Sequence, residues 1–200
     1  MIRVQSQYFG SIPYWAEIAK SEAYCLDRHA YFEKQSYRNR SIILGPNGLQ
    51  PLVVPIYGRN KKQIMRDIRI CYTESWQRVH LNSLQTAYRS APYYEYIYPD
   101  LERIILQGHE SLIDLNWDVH IFLVKRLKLA SPLLSAHFDL SIGETDRREA
   151  FHPKKEKEPL APYSQVFQEK LGFQSGAGII DLVMNDLPGA KDYLKRLPVR

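Results

Sequence analysis

Along the first 30 residues the apolar positions switch period twice. Ile2 to Gln5 read as a short strand and Ser6 to Gly10 as a loop. From Ile12 to about Lys20 the spacing is helical, with Ser11 placed to cap the helix and Pro13 in its first turn. The run EAYCLD, ending at Asp27, returns to a strand. Strand, helix and strand in so short a span predict a parallel crossover, whose loops after strands are where such sheets bind ligands.

The next segment, SYRNRSIILGPNGLQPLVVPI, has two strand-like runs around GPNG. A hairpin follows from that, with Gly45 and Gly48 able to take positive φ. The stretch LVVP is apolar on both faces, as a central strand would be, and IRICY reads as a further strand.

Helical patterns dominate afterwards. SWQRVHLNSLQTAYRS places Trp76, Val79, Leu84 and Ala87 on one face. PYYEYIYPDLERIILQG predicts a short helix, a break at Pro99 and another helix. Leu112, Leu115, Val119, Phe122, Leu123 and Leu127 form the apolar stripe of a longer helix. PLLSAHFDLS predicts a last strand, and YSQVFQEKLGF and GIIDLVMNDLPGAKDYLKRL two C-terminal helices. The fold class is therefore α/β: a small mixed sheet, with an N-terminal strand–helix–strand unit and a hairpin, followed by a mostly helical C-terminal half. One domain is expected overall, with a core over residues 1–143, a mobile loop or linker at 144–159, and helices at 160–200 packing on the core. The linker expectation rests on five acidic and five basic groups, two prolines and one large apolar residue, Phe151, in that stretch.

Charge changes the picture locally. The chain of 200 residues carries a net +5, yet residues 31–69 alone hold eight basic and two acidic side chains. All of the excess lies there, which points to a local anion site and not to a protein basic throughout. Within YFEKQSYRNR (31–40), a strand would put Arg38 and Arg40 on one face. Two guanidinium groups side by side need an anion or carboxylates between them. Both readings stand on the residues alone. Fourteen Tyr against seven Phe favour half-wet surfaces and pocket walls.

Other chemistry is excluded or thinned. No apolar run is long enough for a signal peptide or a membrane span, and isolated Cys25 and Cys71 read as buried thiols, so a cytoplasmic protein without a membrane span is expected. The six histidines show no metal-ligand spacing, so no metal is expected. No GxSxG or GK[ST] occurs. The absence of a binding module argues against nucleic acid as a partner. His29 follows a strand end beside Asp27, where a carboxylate could orient a base. His80 lies between Trp76 and Leu84 on an inward helix face, either as a satisfied core histidine or as a proton acceptor reaching the Asn39–Arg40 region.

The segments QSQYFGSIPYW, YFEKQSYRNR, LVVPI, SWQRVHLNSLQTAYRSAPYYEYIYPDLE and YSQVF, in that order, resemble the WbqC-like family. Ser6 and Gly10 stand where members often have proline, and Arg28 and His29 where many carry acids. The resemblance implies a transferase acting on nucleotide-linked amino sugars in bacterial surface-polysaccharide biosynthesis, by acyl or aminoacyl transfer. It implies that Gln5, Tyr8, Lys34, Asn39 and Arg40, with Trp76, His80, Tyr88 and Tyr93, meet around a phosphate-bearing donor. A non-catalytic binding or scaffold protein of a polysaccharide assembly system is the alternative. The residues name no cofactor.

Overall fold

The computed structural model describes residues 1–58, 63–135, 146–154 and 159–198. Strand β1 (Ile2–Gln5), helix α1 (Ile12–Lys20) and strand β2 (Tyr24–Asp27) form the expected crossover, with β1 and β2 parallel and Gln5 opposite Asp27. Ser11 caps α1 by accepting the Tyr14 N–H, and Pro13 sits in the first turn. Strands β3 (Arg40–Gly45) and β4 (Gly48–Val53) make a separate antiparallel ribbon closed by the Gly45–Gly48 pair. Only Gly48 takes positive φ, at +112°, so the freedom expected of Gly45 is not used.

β4 is not a central strand. Among the described residues it pairs with β3 alone, and it carries Pro51, which suits an edge; Leu52 and Val54 are buried while Val53 is exposed. The IRICY run gives isolated bridges at Arg69 and Ile70 instead of a strand, after a single 3₁₀ turn at Met65–Asp67.

Helices α2 (Trp76–Tyr88), α3 (Tyr94–Leu106) and α4 (Leu112–Leu127) follow. Trp76, Leu84 and Ala87 of the predicted face of α2 are buried, as is His80 between them, while Val79 faces solvent. α3 runs through Pro99 without the predicted break. Losing one N–H costs that turn a hydrogen bond, but Ile97, Leu101, Ile104 and Ile105 are buried along one face and hold the helix together. The predicted stripe of α4 is buried at every named position, and Ser111 caps the helix.

The last strand is short, β5 (Leu133–Leu134), parallel to β2; the rest of that prediction falls at 136–145, outside the described residues. It completes a three-stranded sheet of order β1–β2–β5. The first C-terminal helix shrinks to α5 (Gln168–Leu171). The second divides into α6 (Ile179–Asn185) and α7 (Leu187–Arg196), because Asp186 leaves helical geometry and its carboxylate caps Gly189 N–H at 3.0 Å. α7 packs on α1 and α4, closing one continuous core. Of the two free thiols Cys25 is buried and Cys71 only partly so.

Residues 146–154, part of the stretch expected to have little to bury, are tied to the sheet. Arg147 N–H donates to the Arg3 carbonyl, Arg147 pairs with Glu17 at 2.9 Å, and Arg148, Phe151 and His152 are buried. Residues 144, 145 and 155–158 lie outside the described residues.

Candidate functional site

Three strands run parallel, and their carboxyl ends share one edge. Ser6 follows β1, Arg28 follows β2 and Leu134 ends β5. Together with Leu26 and with Ile113, Asp114 and Trp117 from the first turns of α4, these residues line a cavity of about 220 Å³. Such an edge is where an open parallel sheet takes ligands, because strand carbonyls end there and loops supply side chains.

Of the residues that line the cavity, Arg28 has a buried nitrogen without a partner among the described residues; Gln5 and Asn116 directly neighbour lining residues in sequence. Gln5 Oε1, Arg28 Nε, Arg38 Nε and Asn116 Oδ1 are buried and have no hydrogen-bond partner among the described residues. Gln5 donates from Nε2 to the Phe151 carbonyl at 3.0 Å, leaving its carbonyl oxygen over. Asn116, fully buried beside Trp117, donates to the Arg38 carbonyl at 2.8 Å, leaving Oδ1 over. Buried polar atoms are nearly always paired, so the unpartnered Arg28 Nε on the cavity wall is open to a polar contact from outside the chain.

Charge around this edge is held by residues 146–152. Asp27, wholly buried, accepts from His29 and Ala30 N–H at 2.7 and 3.2 Å, and its second oxygen takes Arg148 at 2.6 Å. Arg148 also grips Asp146 through a forked pair. Arg38 sits between Glu33 at 2.9 Å and Glu149 at 3.6 Å, and Glu33 faces His152 Nε2 at 3.5 Å. The segment thus straps across the sheet's carboxyl edge.

Residues 34–39 form turns instead of the strand predicted from residue 36, since Ser36 Oγ donates to the Glu33 carbonyl and accepts the Arg38 N–H. Arg38 and Arg40 therefore do not share a strand face. Arg38 has carboxylate partners, the bland alternative of the two. Arg40 opens β3, half-buried, opposite Val53, and its Nε has no partner among the described residues.

Loop 5–11 and segment 31–40 do lie side by side, joined by Tyr8 N–H donating to the Tyr37 carbonyl at 2.9 Å. Around the open end of the ribbon Tyr8, Trp76 and His80 pack together, with ring centroids 5.6 Å (Tyr8–His80) and 5.0 Å (Trp76–His80) apart. Asn39 Nδ2 donates to the Val54 carbonyl there. The Val53 carbonyl can only accept, so His80 carries its proton on Nε2 at 3.2 Å, and Nδ1 accepts from Tyr8 OH at 3.0 Å. Burial pushes the imidazole down to about 4 against the opposing Val53 bond, and raises the Tyr8 phenol well above its ordinary value. With both nitrogens committed and 2% exposure, His80 fits the core-histidine reading better than that of a base facing a ligand.

Tyr88 and Tyr93 lie elsewhere. Tyr88 OH accepts the Leu44 N–H near the hairpin turn, and Tyr93 N–H donates to the Met184 carbonyl of α6. Tyr163 and Gln165, from the YSQVF motif, both bond Asp181 at 2.7 Å. Lys34 is exposed, and His29 is half-buried one residue past Arg28. The residues expected to converge on one ligand therefore fall into three groups: Gln5 and Arg38 at the sheet edge, Tyr8, Asn39, Arg40, Trp76 and His80 at the ribbon, and Tyr88 with Tyr93 near α6. Ser6, Arg28, Asn116 and Trp117 were not picked out from the sequence. Their signal was positional: Ser6 and Arg28 directly follow strand ends, and Asn116 is a polar residue within an otherwise apolar helix stripe.

A sequence model described as the WbqC-like protein family matches residues 5–158. The protein described as "Uncharacterized protein Rv1507c" from Mycobacterium tuberculosis is 25% identical over 222 aligned residues, which cover 96% of each chain. No solved structure matches significantly.

Proposed function

This chain belongs to the WbqC-like protein family, and on that premise we propose that it transfers an acyl or aminoacyl group on nucleotide-linked amino sugars in bacterial surface-polysaccharide biosynthesis. The observation that carries the reading is the sheet-edge cavity lined by Arg28, whose buried Nε has no partner among the described residues. Arg28 would bind phosphate through its guanidinium, Trp117 would take a sugar face, and Ser6 and Asp114 would meet hydroxyls. At about 220 Å³ the cavity is smaller than the roughly 300–1,000 Å³ of whole-ligand pockets. It suits one part of the nucleotide sugar, its sugar ring and the attached phosphate. His29, anchored through its backbone on Asp27, is the base assigned to take the proton from the sugar amine as its nitrogen bonds to the acyl carbonyl of an activated donor, whose carrier then departs with that proton.

Arg28→Ala is expected to weaken a uridine diphosphate amino sugar about ten- to a hundredfold, the worth of one charge-assisted hydrogen bond, with the melting temperature of the free protein unchanged. A thermal-shift titration of both proteins reads this. Equal shifts in both would remove Arg28, and with it the reading, from the cavity.

The enclosed position of His80 gives the non-catalytic reading its support, since that residue offers no free nitrogen. Mass spectrometry of the nucleotide sugar after incubation with activated acyl donors separates the two. A transferase gains the acyl mass, and His29→Gln abolishes the gain at unchanged affinity. A binding protein returns the sugar unmodified.

A further inference from the structure

A second concavity adjoins the first. Between α3 and α4 a groove of about 610 Å³ is lined by Arg103 and Gln107 on one helix and Trp117, Asp118, Phe122 and Lys125 on the other. Trp117 lines this groove and the sheet-edge cavity alike. The two spaces are thus consecutive along one face of α4. From Ile113 to Lys125 that face is about 18 Å long at 1.5 Å per residue.

We infer that the groove holds the nucleoside monophosphate half of the acceptor nucleotide sugar whose sugar phosphate end occupies the cavity, an inference that rests on the function proposed above. Three cations, Arg103, Lys125 and Arg126, meet two carboxylates there, and both carboxylates are engaged. Asp118 accepts from His109 Nε2 at 2.8 Å. Asp100 accepts from Arg126 and Arg103, and the Arg126 bond foremost holds its carboxyl below the ordinary value. Asp100 therefore stays ionised and orients two guanidinium groups, while Lys125 stands exposed in the last turn of α4. The Arg126 guanidinium lies 5.5 Å from the Phe122 ring centroid, so the groove offers cations beside aromatic surface. Phosphate oxygens suit the first, a base face suits the half-buried Trp117, and the Gln107 amide can read a base edge.

The size ordering agrees. The smaller cavity takes the sugar phosphate, and the larger groove takes the larger, nucleoside half.

Calorimetric titration of the full chain with uridine diphosphate, uridine diphosphate N-acetylglucosamine and N-acetylglucosamine 1-phosphate tests this. The double variant Arg103→Ala, Lys125→Ala removes two exposed side chains and should fold as the parent does. It is expected to weaken both nucleotides at least tenfold and to leave the sugar phosphate unchanged, whereas Arg28→Ala weakens the sugar phosphate. Nucleotide binding that is unaltered in the double variant but lost in Arg28→Ala overturns the groove assignment and leaves the proposed function standing. No binding of any of the three to the parent protein overturns both.

Discussion

Replacing Arg148 by methionine is expected to lower the unfolding free energy by about 3–5 kcal/mol, the cost of stranding one member of a buried ion pair. Asp27 is wholly buried, and Arg148 is its only cationic partner among the described residues. The two backbone N–H groups and the Ser135 hydroxyl that remain on Asp27 do not neutralise a full charge in that surrounding. The double variant Asp27→Asn, Arg148→Met should recover much of the loss, because it removes the uncompensated charge. Urea unfolding of the three proteins measures both numbers. A single-variant loss under about 1 kcal/mol, the range of exposed pairs, would mean that the strap at 146–152 is not anchored through this pair.

Lowering the pH from 7.5 to 5 is expected to cost about 4 kcal/mol of stability through two histidines. Burial lowers His80 to about 4 and His120 to about 3, from an ordinary 6.5. Both are neutral when folded, so the unfolded chain binds more protons below pH 6.5. Their contribution is complete above that value and is lost as pH falls towards the folded values. At pH 5 each has lost about 2 kcal/mol. His120 is the more constrained, stacked 4.7 Å from Trp15 and bonded at 2.8 Å to Tyr24 OH. Asp181 works in the opposite sense, since burial raises its carboxyl and its protonation favours the fold. Asp181→Asn therefore serves as background. In that background His80→Gln and His120→Gln should each flatten the slope of stability between pH 6.5 and 5. A slope unchanged in both would mean that neither ring is buried neutral.

The crossover unit was legible because each signal was local: alternation in IRVQ, a Ser–x–x helix start at Ser11, and β-formers in YCLD. The stripe of α4 was legible for the same reason. What misled was competition between local rules and packing. Pro99 reads as a break, yet four buried aliphatic residues hold α3 straight through it. The alternation in SYRN at 36–39 reads as strand, but Ser36 supplies its own backbone partners and makes turns. On α2 the face was set by Trp76 and Leu84 together with Val79, and Val79 proved to be on the wet side.

The site was harder to read than the fold. The charge surplus at 31–69 drew attention to Arg38, whose carboxylate partners lie at Glu33 and, far along the chain, Glu149. No local pattern announces a pairing across 111 positions, or the 121 that separate Asp27 from Arg148. Arg28 sat in view at a strand end, the place the topology rule favours. It looked like a departure from a family pattern, and only the arrangement of three strand ends around one cavity gave it a role.

A crystal structure of the protein grown with uridine diphosphate N-acetylglucosamine tests the central claim most directly. The account predicts sugar or phosphate density in the cavity between Ser6, Arg28 and Trp117, with a phosphate oxygen within about 3 Å of the Arg28 guanidinium. Density for the ligand at the Tyr8–Trp76–His80 cluster or around Tyr88, with that cavity unchanged, would contradict it.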